Sequence, residues 1–350
     1  MITDITFVIE NEKGQGMKIN NVLVTGGGGF LGKAIVTKLV AKKLAVTSFS
    51  RNFYPELENM GVVQIQGDIA DKNAVVKAFK NIDAVFHAAA KPGMWGPYED
   101  YFMVNVKGTE NVISACIENK VRQLIHTSSP SVVSDKKDKE NVNESASYPK
   151  KYLTPYSETK AEAEKLVSKV SNKDLLTIIL RPHIIWGPGD NHLMPRLIKR
   201  AKKLKRIGPK TCLMDIIYID NAADAHILAS EKLEENPSLS GNIYFVSQDE
   251  PINPWDMVDD ILAAAGLPKV KGNVSIRTAY TAGAFFEFVY KIFNIKADPP
   301  LTRFVAIEMG ASHWFNISRA KKDLGYYPKV STKEGLLRLK KWFLTLEEKK

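Results

Sequence analysis

Cysteine is scarce in this 350-residue chain: Cys116 and Cys212 are its only two, far apart and with no second Cys or His at metal-ligand spacing. That excludes a disulfide framework and a Cys/His metal site, and it reads as two buried, reduced thiols. A long apolar run is also missing. The strongest, Tyr280 to Phe293, is interrupted by Glu287 and Lys291 and falls short of the roughly 20 residues that a membrane-crossing helix needs. Its simplest place is a core or pocket wall, with contact to a lipid surface as the alternative. The first 18 residues carry Asp4, Glu10 and Glu12 where an export signal needs positive charge and an apolar stretch. They read as an appendage to the fold, and the expected compartment is the cytoplasm, with membrane association left open.

Acidic residues are the minority among the charges, 39 against 49 basic, which leaves +10. Most of the excess is concentrated in Lys199, Arg200, Lys202, Lys203, Lys205, Arg206 and Lys210. Such a run is first a solvated helix face, then a patch for anionic lipid or an acidic partner. It lacks interleaved aromatics, so no specific nucleic-acid contact is expected. With 44% hydrophobic and 25% charged positions, disorder is excluded and a sizeable core is expected.

What is present is a rhythm. Strand-sized apolar runs at Asn21 to Thr25, Ala45 to Ser50, Val62 to Gln66, Ala84 to His87, Gln123 to Thr127 and Thr177 to Arg181 alternate with helical patterns at Gly32 to Lys42, Lys72 to Phe79, Asn105 to Asn119 and Tyr156 to Ser171. This predicts an α/β fold: a Rossmann-type doubly wound parallel sheet that binds its ligand at the carboxyl ends of its strands. Beyond residue 185 proline-punctuated loops break the rhythm. The expected organisation is an appendage over 1–18, a nucleotide-binding domain over 19–185, and a smaller substrate lobe over 186–350, partly interleaved with it.

Thr25-Gly26-Gly27-Gly28-Gly29-Phe30-Leu31-Gly32 joins the first strand to the first helix, where glycines let a pyrophosphate approach the backbone at the positive helix end. At the end of the second strand, where NAD-preferring folds place an acid, stand Arg51 and Asn52. Arg51 can pair with a 2′-phosphate, so NADP (NADPH) is favoured over NAD. Asp68, beside Ile69 at the third strand's end, can bond the adenine edge or cap a helix. Tyr156 and Lys160, spaced i, i+4, share a helix face. A nearby ammonium and an oxidised nicotinamide both favour the phenolate and bring the tyrosine towards a working range. The serine-rich strand end His126-Thr127-Ser128-Ser129-Pro130-Ser131 supplies a hydroxyl to hold a substrate carbonyl. His87, His126 and His226 read as structural, and no metal is expected.

The glycine loop, Asp68, Val85 to Ala90, Asn105, the serines and Tyr156-Ser157-Glu158-Thr159-Lys160 resemble the extended short-chain dehydrogenase/reductase family over residues 20 to 345. Trp186 to Arg196, Pro300 to Phe304 and His313-Trp314 resemble its 3β-hydroxysteroid dehydrogenase branch, and more narrowly the bacterial reductases of 2-alkyl-3-oxoalkanoates in olefin biosynthesis. The resemblance implies that Ser129 rather than Ser128 is the catalytic hydroxyl, although threonine is expected there. It implies that Lys160 also grips the nicotinamide ribose, that Phe30, Leu31, Asn52, Ile69, Ala88 and Ala89 lie along the cofactor, and that Asn105 supports the lysine. The segment from Arg181 to Ile185, with Pro182 and Ile184, would close over the nicotinamide. Absence of Asn at Ile184 counts against a sugar nucleotide. The implied activity is NADPH-dependent reduction of a 3-oxo group, with 3β-hydroxysteroid or sterol-carboxylate oxidation, and then an NADP-sensing regulator, as alternatives. His192 and Arg196 meet a substrate carboxylate or anchor a loop, and Phe285 and Phe286 would shelter alkyl chains. Many relatives form homodimers, so one is expected here.

Overall fold

The computed structural model describes residues 19–209 and 211–347; the expected appendage and Lys210 lie outside them. Seven strands form one sheet: β1 (Asn21–Thr25), β2 (Ala45–Ser50), β3 (Val63–Gln66), β4 (Ala84–His87), β5 (Gln123–Thr127), β6 (Leu176–Pro182) and β7 (Asn242–Val246). All pairs are parallel, in the order β7-β6-β5-β4-β1-β2-β3. The central strands are apolar on both faces because helices cover both; β4 is buried along its whole length. One side packs Ile35, Val36 and Leu39 of α1 (Phe30–Ala41) against the sheet, and the other packs Val112 and Cys116 of α2 (Gly108–Glu118) with Val167 of α3 (Pro155–Val170). Both thiols are buried and free, and burial pushes each above its ordinary range.

The direction of winding reverses between β1 and β4, whose last residues, Thr25 and His87, lie in register. That reversal opens the crevice in which a doubly wound sheet takes its ligand. Six strands fall where the apolar runs placed them. The seventh, β7, lies beyond the regular rhythm and pairs with β6 at the sheet's edge. The helix expected over Asn105 to Asn119 is also different: Tyr98–Tyr101, a π-helical stretch Phe102–Lys107 and α2 follow one another without a break. The wider π register is a local distortion typical of functional sites, and Asn105 sits inside it.

The second half adds α4 (Ile219–Glu235), which packs on α1, then α5 (Ile276–Ile292) and α6 (Arg303–Glu308), which pack on each other. Among the described residues, no helix is long and apolar enough to cross a membrane.

Candidate active site

The turn from β1 into α1 is tighter than side chains allow. Gly26 has φ +70°, and a Cβ on Gly32 would fall 2.1 Å from the Gly26 carbonyl oxygen. The Gly29 amide donates to that same carbonyl at 2.9 Å, drawing the loop under the helix. No side chain caps α1 and no acid stands in its first turn, so the amides of Phe30, Leu31 and Gly32 form an uncapped positive end. Ala89 closes the other wall: its Cα would lie 3.0 Å from a Cβ on Gly26, and its amide donates to Thr25 Oγ1 at 3.2 Å. Ala88 beside it is half-buried. A dinucleotide pyrophosphate fits this cradle, whose glycines leave backbone where a side chain would block it.

The strand ends beside the cradle differ in what they offer. The Gly26 amide donates to Phe49 O at 2.8 Å, which fixes the end of β2 against the loop, and Arg51 and Asn52 follow as exposed residues. Asp68 is exposed, and its carboxylate accepts from the Ala70 amide at 2.9 Å. It is not a helix cap: Asp71 caps the helix Lys72–Ala78, accepting from the Asn73 and Ala74 amides. The Ile69 side chain is buried against Gly108, so a nucleotide would meet its backbone. Pro182 ends β6 in a buried position, and Ile184 follows it, exposed.

Ser129, Tyr156 and Lys160 converge at the end of β5. Thr154 caps α3 by accepting from the Ser157 amide at 3.1 Å, Pro155 opens the helix, and Tyr156 comes next. Ser129 lies close enough to the Tyr156 hydroxyl to favour its phenolate, and its own Oγ meets Ser131 Oγ at 3.0 Å. Ser128 is otherwise engaged, donating to Glu164 Oε2 at 2.5 Å, which separates the two serines. Lys160, one turn beyond Tyr156, donates to Thr127 O at 2.6 Å. Burial brings its ammonium down to about 8, with Glu164 pulling in the opposite direction. Desolvation raises the Tyr156 phenol above its ordinary value, with Ser129 opposing the rise.

Asn105 is buried and does not touch Lys160 directly. Its Oδ1 accepts from the Lys91 amide at 2.7 Å, and its Nδ2 donates to Lys91 O at 3.3 Å and to Thr159 Oγ1 at 3.1 Å. It therefore ties the loop after β4 to the helix residue next to Lys160, a positioning role. Behind the strand ends, His87 bridges Thr25 Oγ1 and Thr109 Oγ1, while His226 joins Thr127 Oγ1 to Ala222 O. Burial brings them down to about 3 and about 4, and takes His126 well below its ordinary value. All three are neutral at physiological pH.

Sequence reasoning missed a buried ion pair. Arg181 donates Nε to Glu164 Oε2 at 3.0 Å and Nη2 to Oε1 at 2.5 Å, with Tyr148 adding a bond to Oε1 at 2.6 Å. The only available signal was Glu164 lying one turn beyond Lys160 on the same helix face.

A cavity of about 610 Å³ opens beside Thr154 and Pro155, at the start of the helix that carries Tyr156. Tyr280 and Glu287 of α5, seven residues and two turns apart, line it. Phe285 and Phe286 do not: Phe285 is 62% exposed and Phe286 packs edge-on to it. The face that holds Tyr280 and Glu287 turns inward, so Phe285 and Phe288 project to solvent; shelter of alkyl chains by Phe285 and Phe286 is corrected accordingly. His192 and Arg196 also lie off this wall. The His192 amide donates to Asp190 Oδ1 at 2.7 Å, and Arg196 pairs with Asp298 at 2.5 Å, which fits the loop-anchoring alternative. Part of the basic run is tied down too: Arg200 donates to Pro300 O, and Arg206 pairs with Asp256 and Asp259.

Residues 23–275 match the model of the 3-beta hydroxysteroid dehydrogenase/isomerase family. The chain is 45% identical over 333 residues to a 2-alkyl-3-oxoalkanoate reductase of Shewanella oneidensis, covering 92% of this chain and 86% of the relative. It is 44% identical to one of Stenotrophomonas maltophilia, covering 91% and 98%. Among solved structures, UDP-glucuronic acid 4-epimerase from Bacillus cereus in complex with NAD superposes with a TM-score of 0.71 at 23% identity, over 93% of this chain and 99% of the other; that likeness is one of fold.

Proposed function

The chain belongs to the 3-beta hydroxysteroid dehydrogenase/isomerase family and is an NAD(P)-dependent oxidoreductase, and from that premise we propose that it reduces the 3-oxo group of a 2-alkyl-3-oxoalkanoate to the 3-hydroxy acid with NADPH. The observation that carries this is the meeting of Ser129, Tyr156 and Lys160 at the end of β5, with the glycine cradle two strands away on the same sheet edge. A reduced nicotinamide bound on the cradle would supply the hydride. Ser129 orients the substrate carbonyl, and the Tyr156 hydroxyl donates the proton that the developing alkoxide needs. A phenol held above its ordinary value is protonated at physiological pH, the state from which donation starts. Lys160 contributes charge beside the site and a donor for the cofactor ribose. Reduction of a long-chain 2-alkyl-3-oxo acid should clearly exceed that of a steroid ketone when NADPH oxidation is followed; the reverse order would reject the substrate assignment.

Cofactor choice rests on Arg51, exposed at the end of β2 with no ion pair among the described residues. A charge-assisted bidentate contact to a 2′-phosphate is worth roughly 1.5–3 kcal/mol, so Arg51→Ala should raise KM for NADPH about 10- to 100-fold and leave KM for NADH nearly unchanged. Equal effects on both cofactors would show that Arg51 reads no phosphate.

Lys160 sets a pH limit. Below about 8 its side chain is an ammonium, and above that value it loses the charge. Reduction should therefore hold up to about pH 8 in kcat/KM and then fall by about tenfold per pH unit as the free enzyme deprotonates. A flat profile up to the tyrosine range would separate catalysis from the Lys160 charge. The same group has the opposite effect on folding. Its folded value lies below the unfolded one, so the unfolded chain binds more protons between about 8 and 10.5, and stability rises with pH across that window.

A further inference from the structure

The cavity beside Thr154 has two kinds of wall. Trp95, Leu153 and Ile307 give it apolar surface, while Lys136, Lys137, Lys151 and Arg303 bring cationic groups. The acids on its lining are already engaged. Asp135 pairs with Lys139 at 3.0 Å, and Glu287 accepts from the backbone amide and Nε of Arg303 at 2.7 and 2.6 Å. The carboxylate takes one bond from the backbone and one from Nε, which leaves the Nη groups of the guanidinium outside that pair. Tyr280 joins the cations: it lies beside Arg303, and Lys136 Nζ is 5.7 Å over its ring. Gly283 makes the arrangement possible, since a Cβ there would come within 2.7 Å of the Arg303 amide nitrogen. α5 thus approaches the entry to α6 at backbone distance.

The position of this cluster is as informative as its charge. Lys136 follows the Pro130–Val133 turn that begins at Ser129, and Lys151 precedes the cap of the helix that carries Tyr156. Both catalytic segments therefore run into the cationic wall. An acid with an aliphatic body matches a cavity with one cationic and one apolar side, and a 3-oxo acid carries its carboxylate two carbons from the reacting carbonyl.

We propose that Arg303, oriented by Glu287 and Tyr280, forms with Lys136 and Lys151 a carboxylate subsite that makes the enzyme select free acids over neutral ketones. This rests on the reductase assignment above and names the group by which that substrate is recognised. The ligand class is a long-chain carboxylate, and the three cations determine specificity without taking part in hydride or proton transfer.

The test compares a 2-alkyl-3-oxo acid with its methyl ester, using NADPH, in the full-length enzyme and in Arg303→Met and the exposed double variant Lys136→Gln/Lys151→Gln. The original enzyme should prefer the acid. Each variant should raise KM for the acid about tenfold or more, with kcat within about twofold and ester KM unchanged, the size expected for a lost charge-assisted contact. Equal use of acid and ester by the original enzyme, or equal losses on both substrates, would overturn the subsite. If neither 3-oxo compound is reduced, the reductase assignment fails separately. Calorimetric titration with a non-reacting 2-alkyl fatty acid and its methyl ester then decides the subsite alone. Tighter binding of the acid that both variants abolish supports it, and indifference to the carboxylate rejects it.

Discussion

Tyr156→Phe should lower kcat for ketone reduction by about 10²- to 10⁴-fold, the usual worth of a positioned general acid, while NADPH affinity stays within about twofold. The substitution removes one oxygen and keeps the ring that packs at the start of α3. No other hydroxyl is equivalent. Ser128 is committed to Glu164, and Ser129, which lies beside the Tyr156 hydroxyl and shares a hydrogen bond with Ser131, is a far weaker acid than a phenol. Lys160 is bound to Thr127 O, on the carbonyl side of the strand end. A cofactor-binding measurement alongside turnover separates chemistry from assembly: a drop in turnover with intact NADPH binding assigns the proton to Tyr156. Turnover within tenfold of the original enzyme would remove tyrosine from the reaction.

Much of this site could be read before the fold was known, and the reasons are local. β1, β2, β4 and β5 begin and end where their apolar runs do because parallel strands covered on both faces require continuous apolar sequence. The glycine loop is legible because close backbone approach forces glycine at Gly26 and Gly32, and Tyr156 with Lys160 because a helix turn alone brings them to one face. Contacts made through the third dimension were not legible. Asn242–Val246 lies too far from the regular rhythm to announce itself as a sheet strand. Phe285 and Phe286 looked like pocket wall in composition, yet the helix phase that sends Tyr280 and Glu287 into the cavity sends Phe285 outward. The two adjacent serines had the same local credentials apart from the resemblance, and the structure adds their different surroundings, Tyr156 beside Ser129 and Glu164 bonded to Ser128.

Glu164→Gln should cost about 3–5 kcal/mol of folding free energy, among the larger effects available to a single substitution, because it leaves the Arg181 guanidinium uncompensated where it is 2% exposed. A guanidinium cannot escape by losing its proton. It lies 5.0 Å from the centre of the Phe245 ring on β7, with Tyr148 on another side, so water cannot readily replace the carboxylate. The urea midpoint should fall without a change in slope. Glu164→Leu combined with Arg181→Met should lose less than Glu164→Leu alone, since the pair's value lies mainly in neutralising charge that is already buried. The pair also links stability to chemistry. Arg181 stands on β6 just before Pro182, and Glu164 on α3 one turn beyond Lys160, so the strand leading to the cofactor-closing segment and the proton-transfer helix share one contact. Glu164 supports the Lys160 ammonium against burial. Its neutralisation should therefore also move the alkaline fall in kcat/KM from about 8 to lower pH in whatever fraction remains folded. A destabilised variant that kept the limb at its original place would show that Glu164 serves the fold and leaves the lysine alone.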